Sequence, residues 1–245
     1  MNGILIYTEE EARRNSFAVE KITGLLEIPL VISERDEIPD NIDFAVNRTD
    51  NAEIAKGLES RGVRVFNPYS LSLLANDKQK CYEFMQKNDV EIMPINQKSA
   101  PVVEKPIGGK GGKNVSLITE NGFEVKEGFV YQCPASDMGK DLRVWLIGGK
   151  IIASILRINR NDFRSNFCLG GEAYIYNMSK DEQGLVQKIA SLLKYDYIGI
   201  DFVFNNGKAV FNEIEDAVGA RMVYEKTDID ILKLYCDYIK SEMKK

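Results

Sequence analysis

The chain has 245 residues, 44% of them hydrophobic, which is enough for a buried core and for more than one structural unit. Its 37 acidic and 32 basic residues leave a net charge of −5, so bulk electrostatics offers no attraction to nucleic acid or to an anionic membrane. There is no histidine, which excludes a Ser-His-Asp triad, a Cys-His pair and a histidine-ligated zinc or haem. Chemistry must run on carboxylates, lysine, arginine, backbone amides and metal.

No apolar run reaches the ~18 residues of a transmembrane helix. The N-terminal MNGILIYTEE lacks the basic start and cleavage site of a signal peptide. Cys81, Cys133, Cys168 and Cys236 show no CxxC spacing and read as reduced thiols. Together these features predict a cytoplasmic protein.

In chain order, GILIYT at 3–8 predicts a buried strand. Ala12, Phe17, Val19, Ile22, Leu25 and Leu26 predict one helix over 10–26. Strands follow at 29–33 and 43–47, a helix at 51–60 and a strand at 63–66. This alternation predicts a small parallel α/β unit. Asn67-Pro68-Tyr69 break the pattern, and 70–87 read as one or two helices. Beyond residue 90 the texture becomes antiparallel, with strands at 115–118, 128–132, 142–147 and 151–157. Gly148-Gly149 marks a hairpin between the last two. A helix over 180–194, a hairpin over 199–214 and a helix from about 228 to 243 complete the chain.

Two segments carry chemistry. The first is GIDFVFNNGKAVFNEIEDAVG, Gly199 to Gly219. Alternation places Glu213 and Glu215 on one strand face, and a turn at Asn206-Gly207 brings Asp201 alongside them. Three converging carboxylates suit a hard divalent ion that also holds nucleotide phosphates. Taken alone, the pattern also describes three solvated acids on an exposed strand. The second is the loop after Lys105, with Gly108, Gly109, Gly111 and Gly112 among Lys110 and Lys113. Such a backbone approaches a phosphate closely and points amides at it, with lysine adding charge. It matches neither a P-loop nor GxGxxG, and a flexible basic hairpin is its other reading.

Six segments in order resemble the ATP-grasp ligases, closest to the RimK-like group that adds amino acids to a carboxylate. They are Asn76-Asp77-Lys78; Val103-Glu104-Lys105; Asp141-Leu142-Arg143-Val144 with Gly148-Gly149-Lys150; Ile152-Ala153 running to Arg157; Asp162-Phe163-Arg164-Ser165-Asn166 with Gly170-Gly171; and Asp201 with Glu213-Ile214-Glu215. The resemblance implies a mixed α/β and α+β fold. An N-terminal unit over 1–68 would precede two lobes, 69–130 and 131–245, that grip ATP between them.

It implies that Lys78, Lys105, Gly109, Gly111 and Gly112 meet the phosphates. Gln132, Cys133 and Pro134 would form the hinge at adenine, with Asp141 on the ribose and phosphate side and Arg164 nearby. Arg143, Arg157 and Asn166 would line the reacting phosphate, while Asp201, Glu213 and Glu215 would hold two Mg²⁺ ions, with Mn²⁺ as the alternative. The implied activity is ATP-dependent ligation of a carboxylate, activated as an acyl phosphate, to the amine of an amino acid or peptide. Ligases of this type are often homo-oligomers, dimers or tetramers, and the sequence leaves the oligomeric state open. The chain departs from the family at Glu215, usually Asn, at Cys133, often acidic, and in the turn 216–221. Those departures motivate a rival reading as a nucleotide-binding protein without ligase activity.

Other residues carry lesser expectations. Arg48, ending a strand, either holds a substrate carboxylate or lies on the surface. Arg13 and Arg14 read as a solvated helix face and Trp145 as core. Arg164 and Arg221 flank the carboxylates as candidates for an acidic substrate. Cys168 lacks the base that a catalytic thiol needs.

Overall fold

The computed structural model describes residues 2–109, 112–165 and 171–245. Strands β1 (Gly3–Tyr7), β2 (Leu30–Ile32), β3 (Phe44–Asn47) and β4 (Arg64–Phe66) form a parallel sheet in the order β2-β1-β3-β4. Both of its faces are covered, so β1 is apolar throughout rather than alternating. Leu5, Tyr7, Val46 and Phe66 look toward α2 (Ser16–Leu26) and the last helix, α8 (Ile231–Glu242). Ile4, Ile6, Ala45 and Val65 look toward α3 (Ala52–Ser60).

The single helix expected over 10–26 is two, α1 (Glu9–Arg14) and α2. Asn15 leaves the helical region at φ −113°, and its amide donates back to the Glu11 carbonyl (2.8 Å) and carboxylate (2.9 Å). A short polar side chain here competes with the backbone ladder and breaks it.

Helices α4 (Tyr69–Ala75) and α5 (Lys78–Lys87) lead out of this unit. The Asp77 side chain caps α5 by accepting from the Lys80 amide at 3.0 Å, which places Lys78 on the first helical turn. Next, β5 (Val102–Pro106) is the centre of a three-stranded antiparallel sheet with β6 (Ser116–Ile118) and β7 (Phe129–Gln132). Along β5 the side chains alternate. Glu104 accepts from Tyr131 Oη (2.7 Å) and Lys126 Nζ (3.1 Å), while its neighbours Val103 and Lys105 turn to the opposite face.

A second antiparallel sheet runs β10-β9-β8-β11-β12, from β8 (Lys140–Ile147), β9 (Lys150–Ile158), β10 (Glu172–Ile175), β11 (Tyr197–Asn205) and β12 (Lys208–Glu215). Gly148 and Gly149 turn β8 into β9 at φ 52° and 85°, as the hairpin signal predicts. Ile198, Ile200, Phe202 and Phe204 of β11 enter a core with α5 and α6 (Lys180–Ser191). The alternate residues Tyr197, Gly199, Asp201 and Val203 face the other way. Two elements were not expected from sequence, the short edge strand β10 and the six-residue helix α7 (Arg221–Lys226). Among the described residues no helix is long and apolar enough to cross a membrane.

Candidate active site

The two antiparallel sheets flank an open cleft. Lys78, Lys105, Gly109, Gly112, Gln132, Cys133, Pro134, Asp141, Arg164 and Glu213 all line it, from elements far apart in sequence. Arg143, Arg157, Asp201 and Glu215 adjoin it through a continuous run of ion pairs. Asn166 and Gly111 lie outside the described residues, as does Cys168.

Neighbouring strands generate that run. Asp141 is opposite Arg157 across β8 and β9, and Arg143 is opposite Asp201 across β8 and β11. Arg157 donates to both oxygens of Asp141 (2.5 Å each) and to Asp201 (2.8 Å). Arg143 donates to both oxygens of Asp201 (2.6 Å each) and to Glu215 (2.7 Å). Burial opposes ionisation of Asp201, yet the two guanidinium groups hold its carboxyl below the usual carboxylate range. Burial pushes Glu213 the opposite way, with Glu215 and Asp201 adding to it; Lys78, at 3.7 Å, opposes the rise.

Lys78 and Lys105 both line the cleft. Lys78 Nζ donates to the Gly109 carbonyl at 2.8 Å, fastening the first turn of α5 to the glycine loop. Lys105 Nζ donates to Gln132 Oε1 (2.7 Å) and Asn212 Oδ1 (2.8 Å) and sits beside Tyr82 Oη (3.3 Å). Burial lowers its pKa to about 8, with Glu213 opposing the fall. Arg164 pairs with Asp162 (2.7 Å) and donates to the Gly112 carbonyl (3.2 Å), a second tie on the same loop. Cys133 and Pro134 line the wall beside Met93 and Ala135, a mixed surface suited to a heterocycle.

Asn212 escaped the sequence reading. Register slips between Asp201, opposite Glu213, and Phe202, opposite Phe211, so Asn212 is the extra residue of a β-bulge. The bulge aims both Asn212 and Glu213 into the cleft, which strict alternation forbids. Arg221 stands apart on α7, exposed and paired with Glu225 at 3.5 Å. Arg13 is exposed and pairs with Glu9, and Trp145 is fully buried, as expected.

The residues present fit a divalent ion. One oxygen from each of Asp201, Glu213 and Glu215 lies within 4.8 Å of the others. Mg²⁺ binds oxygen at about 2.0–2.1 Å, so ligands across one ion stand about 4 Å apart. The three side chains would have to draw closer to share one ion. They also fit a polyphosphate. Lys78, Lys105, Lys113, Lys140 and Arg164 line the cleft against Asp137, Asp141 and Glu213, an excess of cationic groups that suits a polyanion.

Residues 69–239 match the family of the RimK-like ATP-grasp domain, and the chain belongs to that family. An uncharacterized protein of Mycoplasma genitalium, MG011, is 29% identical over 221 residues, covering 83% of this chain and 76% of that protein. A probable alpha-L-glutamate ligase of Maridesulfovibrio salexigens is 32% identical over 151 residues, 57% of this chain. The chain spans about half (50%) of that ligase's length. Among solved structures, the ATP-grasp ligase PsnB complexed with minimal precursor, Mg and ADP superposes with a TM-score of 0.72 at 13% identity. That match covers 99% of this chain and 98% of PsnB. A RimK domain ATP-grasp protein from Sphaerobacter thermophilus gives 0.71 at 16% identity, covering 97% and 99%. The fold is therefore the ATP-grasp ligase fold, a parallel sheet followed by two antiparallel ones.

Proposed function

We propose that the protein is an ATP- and Mg²⁺-dependent ligase that joins a carboxylate to the amine of an amino acid or peptide. The carrying observation is the convergence of Lys78, Lys105 and the glycine loop on the carboxylate trio Asp201, Glu213 and Glu215. PsnB was solved with Mg and ADP, and a D-alanine--D-alanine ligase of the same fold with ATP, which supports nucleotide and magnesium in this cleft.

In this reading residues 1–68, 69–130 and 131–245 are the working units, and the nucleotide lies between the second and third. Its base rests against Cys133 and Pro134, and its phosphates run toward Lys78 and Lys105. Asp201, Glu213 and Glu215 hold one or two magnesium ions, or manganese, which when bound screen the charge on the phosphates and the transferred group. An oxygen of the substrate acid attacks the γ-phosphorus, the bond to the β-phosphate breaks, and ADP leaves behind an acyl phosphate. The amine nitrogen then attacks the acyl carbon, loses a proton and expels inorganic phosphate. Neither step needs a protein nucleophile. Arg143 and Arg157 stabilise the developing charge, and the lobes position the reactants and exclude water.

The test follows an oxygen atom. The protein is incubated with ATP, Mg²⁺, a pool of L-amino acids and L-glutamate labelled with ¹⁸O in its carboxyl groups, chosen because relatives are named alpha-L-glutamate ligases. One label transferred to inorganic phosphate is the expected result. Nucleotide binding with no phosphate release from any pool favours a binding protein without ligase activity.

A further inference from the structure

Arg48 is 8% exposed and, among the described residues, has no carboxylate partner. Its Nη2 donates to the Val218 carbonyl at 2.6 Å, its Nε reaches Tyr7 Oη only at 3.4 Å, and the guanidinium lies 5.5 Å from the centre of the Tyr197 ring. The Tyr197 hydroxyl is buried and, among the described residues, has no hydrogen-bond partner. A guanidinium offers five donors in a planar fork matched to a carboxylate, and burying its charge with neutral acceptors alone is costly. This one keeps most of its donors unused.

Topology points to the same place independently. The order β2-β1-β3-β4 means the chain leaves β1 toward one edge and returns on its other side. The switch point therefore falls between β1 and β3, and open parallel sheets bind ligands at the C-terminal ends of such strands. Tyr7 ends β1 and Arg48 follows β3, so the two flank that crevice. The same strand face runs from the switch point toward the proposed reaction centre. Tyr197, Gly199 and Asp201 share one face of β11, and Tyr197 is four residues, about 13 Å, from Asp201. Val218 lies over Gly199 between them: a Cβ on Gly199 would stand 2.7 Å from Val218 Cγ2 and 3.5 Å from Glu215 Cβ.

We infer that Arg48 anchors a substrate carboxylate other than the one being phosphorylated, at the switch point between β1 and β3, on the far side of the metal carboxylates from the nucleotide. This deepens the ligase reading and rests on it. The carboxylate belongs either to an acyl donor with two acid groups or to the incoming amino acid.

The experiment reads Arg48 directly. The arginine Nε–Hε signals of ¹⁵N-labelled protein are recorded with Mg²⁺ and ADP, and the Arg48 signal is assigned by its loss in Arg48→Lys. The probes are L-glutamate, L-glutamine (α-carboxylate only), the α-amide of glutamate (side-chain carboxylate only), L-glutaminamide (neither) and a pool of the other L-amino acids. A saturable shift with L-glutamate and one monocarboxylate, absent with L-glutaminamide, is expected, and the monocarboxylate that acts identifies the source. A shift from the pool alone supports the site with a different side chain.

A signal unmoved by every carboxylate, or moved equally by L-glutaminamide, overturns the inference and leaves Arg48 as a clamp on Val218. In turnover, Arg48→Lys should raise KM for the anchored substrate at least tenfold with kcat changed far less. The wild-type titration stands even if that variant folds poorly. A wild-type melting temperature that ADP with Mg²⁺ does not raise counts against the ligase reading instead, and the Nε titration is still read without nucleotide.

Discussion

Arg143 grips Asp201 with both oxygens at 2.6 Å and reaches Glu215 at 2.7 Å, so one guanidinium occupies two of the three carboxylates that would hold metal. It stands where a cation must stand, and an arriving ion competes with it for the same oxygens. Its release would free a planar donor fork for the reacting phosphate.

Arg143→Met should therefore separate metal binding from turnover. Removing one partner of a buried ion pair costs about 3–5 kcal/mol, because the remaining charge is left uncompensated. The variant should melt well below wild type, recover part of the loss with added Mg²⁺, and bind Mn²⁺ at lower concentration as followed by electron paramagnetic resonance. Turnover should fall at least a hundredfold, the scale of a lost charge stabiliser. Mn²⁺ binding weaker than wild type would contradict the competition.

Lys105 sets a pH dependence. Its pKa is lowered to about 8, so it is charged below that pH and neutral above it. ADP affinity, measured by calorimetry, should be level below pH 8 and fall up to tenfold per unit above it. Lys105→Met should flatten the profile. Stability runs in the opposite sense: the unfolded chain keeps this proton to about pH 10.4, so between the two values it binds more protons than the native state. The lysine's contribution to nucleotide-free stability should rise with pH across that window, by up to about 1.4 kcal/mol per unit.

Much of this arrangement was legible in sequence because it rests on local rules. Asp201 and the glutamates come together through strand alternation and a two-residue turn, and the Gly148-Gly149 hairpin reads directly from its residues. Asn212 was not legible, since a bulge is a slip in pairing between two strands and leaves no mark on one strand's pattern. Asn15 hid a helix break inside continuous apolar spacing, and β10 is a four-residue edge strand with little periodicity. Gln132, expected at the hinge, also orders Lys105 from the adjacent strand, a pairing that only register reveals.

Gly199 and Val218 test the turn that follows the carboxylate strand. Gly199→Ala places a methyl 2.7 Å from Val218 Cγ2 and 3.2 Å from its Cβ, so the turn must move. Thermal melts should show a loss of about 1–3 kcal/mol. Adding Val218→Ala should restore part of it, a non-additivity expected only of neighbours. Additive losses would mean that the two do not touch.

Ser72 tests the link between the two halves of the site. Its hydroxyl donates to Asp216 Oδ2 at 2.8 Å, beside Asn76 Nδ2 at 3.1 Å, joining the residue after Glu215 to the entrance of the Lys78 helix. Ser72→Ala should cost about 1.5–3 kcal/mol, as for hydrogen bonds to charged groups, and lower the melting temperature by several degrees. An unchanged melt would show that the bond does not join them.

The most direct measurement is ADP release from ATP with Mg²⁺, with and without a pool of L-amino acids, for wild type and Glu213→Gln. Release in wild type should depend on both the pool and Mg²⁺. Glu213→Gln should fold, as a melt confirms, but should release no ADP above background. Equal release from the two proteins, or release in wild type indifferent to the pool, would contradict a ligase built on these carboxylates.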